Sequence, residues 1–288
     1  MAEQLVSFDV PRLWEGRLVL AFSGWMDGGD VSTGSVEWLV RAFDAEKVAE
    51  IAPENFYIYN FPGSMEVAQL FRPHARIEDG LIREYAPPTN AFHCDPTHKL
   101  ALFCGKEPNF NWPAFAECIF NFTRQAGVAT LYFIGSVAGT VPHTREPRFT
   151  STVSDESLKS VLEPLGVKFT NYEGPASFIT YLLTEATSRR IPMASLVAEI
   201  PAYIQGTNPK CIAAVARKLS ALLELPLDLE PMHAVTEAWE KRLSEALEGE
   251  QELNEHIEKL EADYDNEVFD TQMGDLKAWL EQRGVRVD

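Results

Sequence analysis

Positive charge is what this chain has least of. Its 288 residues carry 25 Lys and Arg against 43 Asp and Glu, a formal net charge of -18 at pH 7. A surface of that sign repels phosphate backbones and anionic lipid headgroups, so neither nucleic acid nor a membrane is expected as a partner. Long apolar runs are missing as well: none approaches the roughly 20 residues that span a bilayer, and no basic start followed by an apolar core marks a leader. Cysteine is scarce. Cys94, Cys104, Cys118 and Cys211 show no CxxC spacing, and the last three lie in apolar patterns where thiols behave as small buried hydrophobes. The expectation is a reduced, cytoplasmic protein with no metal and no cofactor.

The familiar catalytic signatures are absent too. GWMDGG matches neither the P-loop nor the dinucleotide fingerprint, and Ser136 sits in GSVAG rather than in the G-x-S-x-G of a nucleophile elbow. Residues 93–98 (HCDPTH) gather metal-ligand types, but strand alternation puts His93 and Asp95 on one face and Cys94 on the other. Zinc motifs usually draw on two separated pairs, so the segment reads as a loop leading into the next strand.

What is present is an apolar content of 45%, enough for a sizeable core. The chain is organised around residues 17–31, RLVLAFSGWMDGGDV. Residues 18–22 predict a strand buried on both faces. Gly28 and Gly29 free the backbone for close approach to a ligand or a neighbouring loop. Asp30 or Ser32 then caps a helix whose apolar positions Val36, Leu39, Val40 and Phe43 recur at helical spacing. Strand, glycine-bearing loop and helix open an α/β domain, with the loop at the carboxyl end where such sheets build sites.

The same reading predicts strands at 56–61, 100–104, 129–134, 167–172 and 195–200. Helices are expected at 64–71, 112–126, 154–163, 174–185 and 209–225, and a hairpin turns at Asp79-Gly80. The alternation implies a mostly parallel, mixed sheet with helices on both faces, to which the hairpin adds an antiparallel section. Beyond residue 227 the pattern changes. Residues 228–288 hold 18 acidic and six basic side chains, two thirds of the net charge of the whole chain. Trp239, Leu243, Ala246, Leu253, Ile257, Leu260 and Tyr264 form a narrow apolar seam, as in helices packed on a partner or on the body. Gly249 and Glu250 interrupt it, and Met273, Leu276, Trp279 and Leu280 suggest a final short helix. The expected organisation is an α/β body over 1–227 and an acidic helical extension over 228–288.

Four loops should meet at the carboxyl ends of the strands: 23–30, 105–112, 135–147 and 201–209. They would offer Trp25, Asp27, Gly28, Gly29, Glu107, Trp112, His143, Arg145 and Tyr203 to one cleft, a mixture of aromatic and ionisable groups suited to a ligand. The plainer account makes the tryptophans packing anchors and lets Glu107 pair with Arg145.

Five segments carry a resemblance: GWMDGGD at 24–30, GKEPNFNW at 105–112, PHTREP at 142–147, YEGP at 172–175 and EIPAY at 199–203. Over residues 15–240 the chain resembles the proteasome assembly chaperone 2 family, particularly bacterial members with a helical C-terminal extension. The resemblance implies a three-layer α/β/α sandwich similar to the nucleoside phosphorylase and peptidyl hydrolase group. It implies too a non-enzymatic protein that associates with itself or a paralogue, a trimer by analogy with that fold. Better-known relatives dock on the proteasome through a hydrophobic-Tyr-X tail. This sequence ends GVRVD, with Val287 in place of the tyrosine, and Ala202 stands where the family often has His. An alternative keeps a phosphorylase- or hydrolase-like enzyme or ligand binder at the strand ends, with Arg145 as charge partner and His143 as acid or base.

Overall fold

The computed structural model describes residues 5–247 and 249–282. Its strands are β1 (Leu5–Ser7), β2 (Gly16–Ser23), β3 (Glu46–Ile51), β4 (His74–Glu78), β5 (Leu81–Ala86), β6 (Ala91–Asp95), β7 (Leu100–Lys106), β8 (Val128–Gly139), β9 (Phe149–Ser151), β10 (Lys168–Phe169) and β11 (Met193–Pro201). Its helices are α1 (Val31–Ala42), α2 (Met65–Ala68), α3 (Trp112–Ala126), α4 (Ser157–Leu162), α5 (Phe178–Arg189), α6 (Pro209–Leu223), α7 (Glu230–Leu247) and α8 (Gln251–Gln282).

Nine strands make one sheet in the order β1-β3-β6-β7-β2-β8-β11-β9-β10. Its centre, β7-β2-β8-β11, is parallel throughout. The neighbours β6, β3 and β1 on one side and β9 on the other join antiparallel. β2 shows why a continuous apolar run was required. Leu18, Leu20 and Phe22 enter the core roofed by α3 and α5, while Val19 and Ala21 enter the one under α1 and α6. The result is an α/β/α sandwich with a mixed, centrally parallel sheet. Gly127, at φ 70°, ends α3, and the Asn208 side chain accepts the Cys211 N–H at 3.0 Å to start α6.

Several elements differ from the expectation. Residues 56–61 are not a strand. Phe56 is fully buried and the Tyr57 hydroxyl donates to Asn90 Oδ1 (2.7 Å), so the aromatics anchor a loop. The strand before them is β3, whose charged EKVAEI masks its apolar alternation. Residues 91–95 form β6 rather than a loop, and their antiparallel pairing with β7 supplies the antiparallel section. The Asp79-Gly80 hairpin forms as expected but as a separate two-stranded sheet, outside the main one. β8 runs on to Gly139, because β11 pairs with it through Pro201, so the loop after it starts only at Thr140.

The acidic segment folds back on the body. Met232 of α7 and Ile257 of α8 are buried, and Trp239, Leu243, Leu253, Leu260 and Tyr264 are partly so, whereas Ala246 is exposed. The break at 249–250 separates the two helices as the seam implied. The expected separate helix near 273–280 is instead the continuation of α8. The GVRVD ending lies outside the described residues. Among the described residues, no helix is long and apolar enough to cross a membrane.

Candidate functional site

Since β7, β2, β8 and β11 run the same way, their ends at Lys106, Ser23, Gly139 and Pro201 share one edge of the sheet. The loops therefore meet, but the nine expected residues divide into three groups along that edge.

The first is the glycine turn. The Asp27 carboxylate accepts the Thr33 N–H (3.0 Å) and hydroxyl (2.7 Å), tying the turn to α1. Its burial pushes the carboxyl pKa up to about 6, against the two hydrogen bonds that favour the charged form. Gly28 lies so close to β11 that a Cβ would stand 2.7 Å from Ile200 Cδ1. Gly29 adopts φ 66°, and its carbonyl accepts the Asn208 N–H at 2.8 Å. The close approach that the glycines permit is to the loop before α6. Ser136 donates to the Gly28 carbonyl at 2.7 Å, and the buried Ser32 accepts the Phe22 N–H and donates to the Ile134 carbonyl. Ser136 thus holds the turn and forms no triad with His143.

The second group surrounds a depression of about 500 Å³ bordered by Trp25, Glu107 and Trp112. Trp25 is 76% exposed. Glu107 does not pair with Arg145. One of its oxygens accepts the Trp25 N–H (3.1 Å) and the other the N–H of Phe178 at the start of α5 (3.0 Å), where a carboxylate is favoured by the helix dipole. The Trp112 indole donates to the Pro108 carbonyl (2.9 Å), so this tryptophan is an anchor.

The third group is His143, Arg145 and Tyr203, and the helical extension closes over it. The Tyr203 hydroxyl accepts the His143 backbone N–H (2.9 Å) and is hydrogen-bonded to Nδ1 of the same residue (2.8 Å). Burial, aided by the nearby Lys210, lowers the His143 pKa and keeps it neutral. Lys210 bridges from the His143 carbonyl (2.7 Å) to Glu240 of α7 (2.7 Å). Arg145 grips Asp265 of α8 through two bonds, at 2.8 and 2.7 Å, with Glu261 at 3.7 Å. Arg148 reaches Glu267 at 2.6 Å and lies over the Tyr264 ring. Only about 10 Å³ of space remains around His143 and Trp239.

Among the described residues, no set of three or more His, Cys, Asp or Glu is placed to hold a metal ion. His93 and Cys94 do point to opposite sides of β6, His93 toward a cavity and Cys94 into the core, while Asp95 pairs with His98. Burial pushes the thiols of Cys94, Cys104 and Cys211 up to about 12 and Cys118 to about 11, which leaves none of them a nucleophile at neutral pH. Sequence reasoning offered Ser32 only as a helix cap, whereas its hydroxyl ties β2 to β8, and it missed Glu199, which holds the loop after β8. Glu199 accepts the N–H groups of Thr140 (2.6 Å) and Val141 (3.2 Å). It lay in plain view inside EIPAY, but nothing in the spacing of that motif marks a loop staple.

A sequence model of the PAC2 family matches residues 21–247. The chain belongs to the PAC2 family. Solved structures with the same fold include a proteasome-assembly chaperone homologue from Mycobacterium tuberculosis, 28% identical with a TM-score of 0.73, covering 84% of this chain and 99% of that one. A PAC2 family protein from Streptomyces avermitilis is 26% identical at a TM-score of 0.71, with 84% and 99% covered. The fold is shared also with the archaeal proteasome activator PbaB of Pyrococcus furiosus, at 20% identity, a TM-score of 0.61, and 84% and 97% covered. No protein of curated function matches this PAC2 chain.

Proposed function

We propose that this PAC2 protein is a non-enzymatic assembly factor that binds protein, its own copies included, with residues 1–227 as the associating body and 228–288 as an extension clasped to it. The family supports the class. The observation that carries the reading is the β4–β5 hairpin. Every residue of both strands is exposed, with Ile77, Leu81, Ile82 and Tyr85 at 57 to 73%. An isolated two-stranded sheet is marginal in water, and exposed apolar side chains at this density mark a surface that another molecule covers.

The charge favours a second copy as that molecule. Residues 56–90 hold four acidic and three basic side chains, in a chain of net charge -18. Within the hairpin Arg76 pairs with Glu78 (2.6 Å) and Glu84 (3.4 Å). Two copies that repel each other elsewhere can meet at this near-neutral patch. The fold analogy favours three copies. Against catalysis, the polar side chains near the strand ends are occupied: Ser136 on Gly28, His143 on Tyr203, Glu107 on two backbone amides.

Size-exclusion chromatography with light scattering tests the proposal. The native chain should run as an oligomer and the Ile82→Asp variant as a folded monomer. A native chain that stays monomeric at every concentration rejects self-association.

A further inference from the structure

At the foot of the hairpin, between α1 and the β6–β7 pair, lies a cavity of about 590 Å³, within the range of small-molecule pockets. Its wall includes Arg41, Arg72, His74, His93 and Lys106 against a single carboxylate, Glu37. In a chain where acids outnumber bases 43 to 25, such a gathering runs against the average. The one carboxylate does little to neutralise it. Glu37 stands 3.9 Å from Arg41, both well exposed, in a helical pair of the weak kind.

The two remaining permanent cations have no counter-ion. Among the described residues, neither Arg72 nor Lys106 has an acidic partner within ion-pair distance, although most other Lys and Arg side chains of the body do. Lys106 is the decisive one. It ends β7, at the same edge as the glycine turn, and is partly buried between this cavity and the Trp25 depression. Desolvation alone lowers its pKa, because no nearby carboxylate compensates. An ammonium taken partly out of water without a partner is a cost that folding leaves unrecovered. His93 likewise keeps its Nδ1 without a hydrogen-bond partner in the protein. The rest of the wall is mixed: Val40, Phe71 and the prolines closing the hairpin give it an apolar side, and Ser23, Thr33 and Thr89 add hydroxyl groups.

We infer that this cavity binds a small organic anion, a carboxylate or phosphate on a compact apolar body, with Lys106 and Arg72 holding the charged group. Arg72 can offer two parallel N–H donors to such a group and Lys106 a point charge. The hairpin foot and the apolar side take the remainder of the ligand. The site adjoins the surface proposed for self-association, sharing only His74 and Ala86 at the hairpin foot while the hairpin tip stays outside it, and the closing experiment reads binding rather than oligomer size.

Isothermal titration of the full chain with phenyl phosphate, benzoate, inorganic phosphate and uncharged benzyl alcohol tests it. Phenyl phosphate or benzoate should bind, more weakly as salt is added. Lys106→Met and Arg72→Gln should each weaken that binding by about tenfold or more, the loss expected for a charge-assisted hydrogen bond. Lys159→Met, remote from the cavity, should leave it unchanged, and thermal melts establish that every variant is folded. The inference is overturned if neither organic anion binds, if inorganic phosphate alone does, if benzyl alcohol binds equally well, or if folded Lys106→Met and Arg72→Gln bind as the native chain does.

Discussion

Two residues of the glycine turn make separable predictions. Gly29 is both left-handed, at φ 66°, and crowded, since a Cβ there would lie 2.9 Å from Asn208 Cβ. Gly166 has a similar φ of 71° but a Cβ would meet only the Lys218 Nζ at 3.8 Å. Gly166→Ala should therefore cost only backbone strain, about 1–2 kcal/mol, while Gly29→Ala costs measurably more in urea melts. Asp27 carries the pH argument. Its folded pKa of about 6 lies above the ordinary 3.8, so the folded protein binds this proton more tightly than the unfolded chain does. The stability this provides is full below the unfolded value and is lost as pH rises through about 6. Asp27→Asn, which keeps an oxygen for the Thr33 N–H, should raise Tm above neutral pH, and the gain should fade as the pH is taken below about 6.

At the scale of elements, α8 is held by Arg145, Arg148 and Lys168 on Asp265, Glu261 and Glu267. Each exposed pair contributes about 0–1 kcal/mol, but several share one helix with buried Ile257. Arg145→Ala with Arg148→Ala should speed amide exchange across 257–267 and leave the central strands as protected as before. Which elements were legible follows from burial. β2, β7, β8 and β11 are covered on both faces and read as unbroken apolar runs. The flanking β1, β3 and β9 are short and carry few apolar residues, and strands of that kind resemble loops, whereas β10 falls within the strand read at 167–172. The FYIYNF error arises because a dense aromatic run suggests a buried strand, yet only Phe56 and Tyr57 are buried while Tyr59 and Phe61 are exposed, in a loop bracketed by Pro53 and Gly63. Of the candidate site, convergence of the loops was legible because parallel order fixes which ends meet. The division into three groups was not, since it depends on Glu107 turning to Phe178 and on the acidic helices claiming Arg145, contacts 71 and 120 residues apart in the chain.

For the whole molecule, salt should act with opposite signs on two contacts. Screening weakens the attraction between α8 and the Arg145 loop, yet it also weakens repulsion between copies of charge -18. Raising ionic strength should therefore loosen the extension, read by limited proteolysis, while tightening self-association, read by sedimentation equilibrium. An oligomer that dissociates as salt is added would assign the contact to ion pairs and away from the hairpin.

Ser32 has a mechanical consequence. Its hydroxyl splices the first turn of α1 between the Phe22 amide and the Ile134 carbonyl, while Asp27 and Ser136 rivet the same corner from either side. That corner is a keystone: it cannot swing as a flap without shearing a helix off two strands. Whatever grips this molecule must deform its rim, the hairpin and the terminal helices, and the amides of Phe22, Thr33 and Ser136 should rank among the last to take up deuterium.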